Sequence, residues 1–281
     1  MSDVIHPSFL HIFSWKKFGF PGRDGHESTL WVGTEGAYTP CHQDTYGENL
    51  VAQLEGSKTW ILFPPDQSRL LAPTRVPYEE SSVYSAANLL HLSHNSKETL
   101  SKLSQTSPYI VTLEPGDVLF VPRHWWHQVY SNNFSISVNT WLEHPEDDRA
   151  RLGEAIIRCQ IAQMLRGIDP SMHEIILNPN EDDLLDTSAE ELVNMCGLIS
   201  DKLTSKLCVE VTRNKVCISE DAKYIEPSTL TLPENLLEFQ DSEHISRTNE
   251  PLIKRYTHLI NSLTDSSVVN EAVNCFMKSH S

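Results

Sequence analysis

Short runs of β-branched and aromatic residues recur between Leu30 and about Glu143, and glycine, proline and aspartate interrupt them. This pattern is typical of a β-sandwich or barrel. Eight strands is the number that a jelly roll requires. We therefore predict a mainly β domain over residues 28–144, preceded by a lead-in over residues 1–27. The runs predicted to be strands are Thr29–Val32, Thr39–His42, Asn49–Leu54, Lys58–Phe63, Ile110–Leu113, Val118–Val121, Trp126–Ser131 and Phe134–Trp141.

A long polar stretch between Pro64 and Pro108 interrupts these runs. Excursions of this length within a compact domain are often functional rims around a site. We therefore expect this stretch to border a functional site.

Residues 145–281 are predicted to be mostly helical. Acidic residues at 146–148 precede apolar residues at helical spacing, and Gly167 and Pro170 end the pattern. The first helix is expected either to cap the β domain or to form a homodimer interface. Further segments are helices over Ala189–Leu203 and Leu252–Leu263, a strand-like Cys208–Val211 and a polar linker near residues 234–250.

The formal net charge of -16 disfavours a nucleic-acid partner, because such affinity depends on clustered lysine and arginine. A protein or peptide partner is easier to accommodate. No apolar run is long enough to cross a bilayer, and the N-terminus has no basic stretch followed by an apolar segment. We therefore expect no membrane span and a cytoplasmic protein, with the nucleus as an alternative.

An H-x-D motif, His42-Gln43-Asp44, lies at the end of a predicted strand. Residues two apart on a strand point to the same side, so both side chains can bind one ion. A third ligand is available in His127, while His124 is expected to be an exposed loop histidine. Two imidazoles and one carboxylate leave adjacent positions of iron(II) open, as an oxygenase requires, whereas structural zinc sites are closed.

Three segments resemble the JmjC-domain oxygenases, and in particular small hydroxylase-type members such as the asparaginyl hydroxylase called factor inhibiting HIF. The resemblance implies a cupin-like double-stranded β-helix, followed here by helices. The family's barrel normally follows further strands and a helix, so the chain is expected to be an N-terminally shortened form. The segments run from Thr39 to Asp44, from Gln53 to Gln67 and from Pro115 to His127.

The resemblance also implies roles for seven residues. It places iron(II) on His42, Asp44 and His127, which would be the catalytic centre for O2. It places Lys58 at the distal carboxylate of the co-substrate 2-oxoglutarate, with the hydroxyl of Thr39 sharing the contact. A cation suits that position because a carboxylate in a dry pocket needs a counter-charge. The amides of Asn49 and Asn139 are expected to line the co-substrate pocket.

Three functions follow from this resemblance. The first is an Fe(II)- and 2-oxoglutarate-dependent oxygenase that hydroxylates a protein side chain. The alternative is an interaction protein, because the chain also resembles JmjC proteins that associate with small heat-shock proteins in the stress response. Histone lysine demethylation ranks lower, because no zinc-finger or reader module accompanies the domain.

Overall fold

The computed structural model describes residues 13–75, 78–79, 81–178, 183–206, 226 and 250–280. Within these residues the first half of the chain is mostly strand and the second half is mostly helix. The strands are β1 Thr29–Gly33, β2 Tyr38–Asp44, β3 Glu48–Glu55, β4 Lys58–Phe63, β5 Pro73–Thr74, β6 Ser82–Ser85, β7 Tyr109–Leu113, β8 Val118–Val121, β9 Trp126–Ser131 and β10 Ser135–Leu142. The helices are α1 Lys97–Leu103, α2 Asp147–Leu165, α3 His173–Ile176, α4 Asp183–Asp186, α5 Ala189–Lys206, α6 Glu250–Leu263 and α7 Ser266–His280.

The strands form two antiparallel sheets. One has the order β1-β10-β3-β8 and the other has the order β5-β6-β2-β9-β4-β7. Residues from both sheets line one common cavity, so the sheets face each other as in a jelly roll. All eight predicted strands are present, with ends that differ by at most two residues. The predicted fold class, a mainly β jelly roll followed by helices, is confirmed.

The polar stretch between Pro64 and Pro108 contains elements that the sequence did not predict: the strands β5 and β6 and the helix α1. The strand β6 extends the six-stranded sheet by pairing with β2, with Tyr84 opposite His42. Its four residues, Ser-Val-Tyr-Ser, are too few and too polar for an alternating pattern to be recognised. The pairing brings part of this stretch beside the H-x-D motif.

The segment before β1 covers the outer face of the four-stranded sheet. Trp15 is buried there against Leu50, Val138 and Leu142. Its indole nitrogen donates a hydrogen bond of 2.9 Å to the Ser28 hydroxyl, which satisfies the polar end of the buried ring. The lead-in therefore closes one side of the β domain.

The helix α2 packs within the chain through an apolar face that includes Ile157, Ile161 and Leu165, all buried. Residues of α5, α6 and α7 contact it on that side. Because this face is already covered, it does not serve as a dimer surface, and the homodimer stays a prediction. None of the helices in the described part of the chain combines the length and apolarity that a membrane span requires.

Buried polar contacts join the helical region to the β domain. Arg75, which follows β5, forms a bidentate ion pair with Glu154 of α2, with N–O distances of 2.9 and 2.7 Å. Asp147 accepts a hydrogen bond of 2.9 Å from the amide of Gly47. The predicted helices over 189–203 and 252–263 are confirmed, and α7 was not predicted. The predicted strand Cys208–Val211, and the predicted linker up to residue 249, lie outside the described residues.

Candidate metal and co-substrate site

Antiparallel pairing between β2 and β9 places His42 directly opposite His127. The register shifts between Thr39 and His42, so a local irregularity precedes the H-x-D motif. The two imidazole ring centres lie 4.2 Å apart, and Nε2 of His42 lies 3.5 Å from Oδ1 of Asp44. One ligand atom from each of the three side chains lies within 4.8 Å of the other two. The structure thus brings together the three residues that the sequence singled out for a metal.

Main-chain carbonyls orient both imidazoles. Nδ1 of His42 lies 2.9 Å from the carbonyl oxygen of Pro40, and Nδ1 of His127 lies 3.1 Å from that of Trp125. Because a carbonyl only accepts, each Nδ1 carries the hydrogen and each Nε2 keeps its lone pair for an ion. The indole nitrogen of Trp141 lies 3.3 Å from Oδ2 of Asp44 and donates to it.

The protonation states of Asp44 and His127 suit a cation. Burial, helped by the neighbouring His42, lowers the pKa of His127 to about 4, so this imidazole is neutral at pH 7. Burial alone would raise the pKa of Asp44, but the adjacent imidazoles of His42 and His127, together with the indole of Trp141, hold it at about 2. The side chain is therefore a carboxylate. The pKa of His42 is raised, since the effect of Asp44 outweighs that of burial.

The three side chains lie on the wall of a cavity of about 790 Å³ between the two sheets. Among the described residues only this group of histidine, cysteine or acidic side chains has the spacing of a metal site. Two imidazoles and one carboxylate form the facial donor set that leaves neighbouring positions of a metal free. The cavity provides room for further ligands at those positions.

His124 lies outside the group of three ligands, as expected, but the expectation that it is exposed is wrong. It is half-buried, and its Nε2 lies 3.1 Å from the carbonyl oxygen of Thr45. Its φ of 63° places the backbone in the left-handed region, which a histidine adopts more readily than most residues. This turn directs the ring away from the cavity.

Lys58 lies on β4 with only 8% of its surface exposed, and its Nζ donates a hydrogen bond of 2.8 Å to the hydroxyl of Ser137 on β10. No described carboxylate lies within ion-pair distance of it. Burial therefore lowers the pKa of Lys58. The side chain lines the same cavity as the three metal-ligand candidates.

The turn between β3 and β4 sets the direction of Lys58. Gly56 has a φ of 60°, which favours glycine, and a Cβ there would collide with the carbonyl group of Phe134. From this turn, Lys58 and Trp60 both face the cavity, two residues apart on the strand. Trp60 packs against the ring of His127 with 5.7 Å between the ring centres.

The sequence of residues 11–148 matches the family described as the Cupin-like domain. HSPB1-associated protein 1 of the mouse, Mus musculus, is 48% identical over 187 residues, which are 66% of this chain and 37% of that protein. Lysine-specific demethylase JMJ31 of Arabidopsis thaliana is 30% identical over 141 residues, which are 50% of this chain and 23% of that protein. Residues 11–148 are a cupin-like domain of the JmjC type.

The chain spans less than half the length of both curated relatives. Among solved structures, the hydroquinone 1,2-dioxygenase PnpCD is 12% identical, with a TM-score of 0.27 over 42% of this chain and 58% of that chain.

In the cupin-like domain, the other predicted co-substrate residues line the same cavity. The amide of Asn139 donates a hydrogen bond of 2.8 Å to Oδ1 of Asn49. The indole nitrogen of Trp31 donates one of 2.9 Å to Oδ1 of Asn139. Thr39, on β2, also lines the cavity. The structure thus places all seven predicted site residues around one space.

Sequence reasoning missed several side chains that line the cavity. Ser137 lies two positions before Asn139 on β10, so the alternation of a strand could have identified it. Glu79 and Tyr84 lie in the polar stretch, where no such pattern exists. These two residues gave no signal in the sequence.

We expect His127→Ala to abolish metal binding by the cupin-like domain, whereas His124→Ala should retain it. The loss should exceed the roughly 10- to 100-fold effect of removing an outer partner of a metal ligand, because His127 is itself a proposed ligand. Equilibrium dialysis with Mn(II), a redox-stable substitute for iron(II), measures both affinities. Equal weakening in the two variants, with both folded by circular dichroism, would contradict the assignment of His127.

Proposed function

We propose that the chain is an Fe(II)- and 2-oxoglutarate-dependent oxygenase that hydroxylates a protein side chain. One observation carries the proposal: His42, Asp44 and His127 converge on the wall of a cavity that also contains a buried lysine, which has no carboxylate partner among the described residues. The first three residues would hold the iron. Lys58 would hold the distal carboxylate of the co-substrate.

The environment of Lys58 supports a dianionic co-substrate. An ammonium group that is buried without a counter-ion is costly, typically by several kcal/mol. The hydroxyl of Ser137 satisfies one donor of the ammonium but supplies no charge. A carboxylate beside Lys58 would restore electrical balance and could also accept from the hydroxyl of Thr39. The residues present therefore fit 2-oxoglutarate.

Bound iron(II) and 2-oxoglutarate together supply oxygen activation, in which the co-substrate is converted to succinate and CO2 and one oxygen atom is inserted into a C–H bond of the substrate. The protein provides orientation and a dry environment. Trp60 is nearly buried beside His127, and Val51 and Val129 add apolar lining. Asn49 and Asn139 present amides at the side of the cavity.

The aromatic side chains at the mouth of the cavity favour a polypeptide as the substrate. Trp31 and Trp141 line the cavity and are 44% and 38% exposed. Large aromatic side chains that are partly exposed at a site bind apolar and planar groups well, including peptide bonds and side chains. The acidic net charge of -16 agrees with a protein rather than a nucleic-acid substrate.

We expect Lys58→Met to weaken 2-oxoglutarate binding by at least tenfold, because a charge-assisted hydrogen bond contributes about 1.5–3 kcal/mol. Lys102→Met serves as the control, since this lysine is exposed on α1. Calorimetric titration of the Mn(II)-loaded variants measures the affinities, and succinate release under O2 measures turnover. Unchanged affinity in Lys58→Met would remove the assigned role, and failure of the iron-loaded wild type to bind 2-oxoglutarate would remove the proposed reaction.

The second candidate function is an interaction with small heat-shock proteins. The name of the mouse relative, HSPB1-associated protein 1, and its identity of 48% favour this candidate. Histone lysine demethylation would use the same site, and the name of JMJ31 suggests it. We rank demethylation lower because that relative is only 30% identical over half of this chain.

A pull-down with purified HSPB1 tests the interaction. We expect Asp44→Ala to lose metal binding and to capture as much HSPB1 as the wild type, because Asp44 lies in the cavity between the sheets. No capture by the wild type would remove the second candidate. Reduced capture by a folded Asp44→Ala protein would show instead that the interaction depends on the metal site.

A further inference from the structure

Glu79 lines the cavity beside the proposed metal centre and has no assigned role. Its Oε2 accepts a hydrogen bond of 2.6 Å from the hydroxyl of Tyr84 and one of 2.8 Å from the amide of Asn178. Both partners are neutral, and both bind the same oxygen. The other oxygen, Oε1, accepts no hydrogen bond from the described residues and is available to a ligand in the cavity.

The position of Glu79 is fixed from the helical region. The amide of Tyr78 donates to the carbonyl of Ile176 at 2.5 Å, and the amide of Asn178 donates to the carbonyl of Tyr78 at 2.9 Å. The ring of Tyr78 is fully buried in the helical core. The main-chain hydrogen bonds and the buried ring of Tyr78 therefore hold the backbone beside Glu79 in place.

No described lysine or arginine forms an ion pair with Glu79. Arg75 reaches only its main-chain carbonyl, at 3.5 Å, and the charge of Arg75 is balanced by Glu154. Arg151, which also lines the cavity, pairs with Asp148 at 3.1 Å. Glu79 is thus a half-buried carboxylate that lacks a counter-charge.

Glu79 is close to the metal candidates. Tyr84, which donates to Glu79, pairs across the strands with His42, and their ring centres lie 5.8 Å apart. In the loaded centre, the charges of iron(II) and Lys58 would be balanced by Asp44 and the two carboxylates of 2-oxoglutarate. Glu79 would then be a negative charge close to the centre that forms no ion pair with any described residue, and a cation would be attracted to it.

We propose that Glu79 anchors a cationic side chain of the protein substrate, an ammonium or a guanidinium group, beside the metal centre. This inference rests on the proposed function and specifies its substrate class. The carboxylate would accept hydrogen bonds from the cation, and the aromatic face of Trp141 at the mouth would contact its aliphatic stem. Glu79 would select the side chain that enters the cavity.

Two matched pairs of small probes test the inference by ligand-detected NMR titration of the full chain. Nα-acetyl-arginine N-methylamide is compared with its uncharged citrulline counterpart. Nα-acetyl-lysine N-methylamide, whose ε-ammonium group is free, is compared with its uncharged norleucine counterpart. We expect at least one cationic probe to bind the wild type fivefold or more tightly than its uncharged counterpart. The arginine and lysine arms distinguish guanidinium from ammonium recognition.

The variant Glu79→Gln keeps the size of the side chain and removes its charge, so the preference should fall to within twofold. Glu143→Gln is the control, because Glu143 is an exposed carboxylate at the same cavity and should leave the preference intact. An unchanged circular dichroism spectrum and retained Mn(II) binding show that Glu79→Gln is folded. Absence of a preference in the wild type, or its survival in Glu79→Gln, would overturn the inference.

The titration is repeated without metal, which separates the two proposals. A charge preference in metal-free protein that Glu79→Gln removes supports the anchoring role even if 2-oxoglutarate does not bind. Failure of 2-oxoglutarate to bind would then count against the proposed oxygenase alone.

Discussion

The pairing of β2 with β9 is the constraint on which the site depends. It places His42 opposite His127, and the strand alternation then turns Asp44 to the same side. On the other face of the same two strands, Cys41 and Trp126 are buried in a separate apolar cluster. A slip of one residue would expose that cluster and turn the imidazole of His127 out of the cavity. The apolar core therefore enforces the register that brings the ligands together.

Two uncompensated charges define the chemistry of the cavity. Among the described residues, Lys58 is a buried cation that has a hydroxyl as its partner, and Glu79 is a half-buried anion that has only neutral donors. Such groups are costly in a stable fold unless a ligand supplies the opposite charge. The helical region takes part in this arrangement because Asn178 and the main chain beside it hold Glu79. It therefore contributes to the site as well as to the core.

The sequence predicted the strands that carry the site because their patterns are local. The runs around His42, Lys58 and His127 alternate or are bounded by glycine and proline, and each lies on a strand in the structure. The resemblance to JmjC oxygenases supplied the roles, since spacing alone does not show that Lys58 faces the same cavity as His127. The structure adds the burial of Lys58 and its contact with Ser137.

The parts that could not be predicted depend on contacts between distant residues. Glu79 is positioned by Ile176 and Asn178, about a hundred positions further along the chain, and no local pattern encodes such a contact. The strand β6 is stabilised by its pairing with β2 and not by its own four residues. His124 contacts the carbonyl of Thr45, 79 positions earlier in the chain, and no local pattern predicts that contact.

In the proposed centre, one metal ion is held by three protein side chains and remains open to a chelating keto acid in the cavity. The most direct test is the dissociation constant of Mn(II) for the full chain, measured alone, with 2-oxoglutarate and with glutarate, which has both carboxylates but lacks the keto oxygen. If the metal ion binds the keto acid, then the keto acid must tighten metal binding by the same factor. We expect 2-oxoglutarate to lower the dissociation constant of Mn(II) about tenfold or more, and glutarate, which cannot chelate through a keto oxygen, to have little effect. Equal effects of the two acids, or no effect of either, would contradict the claim.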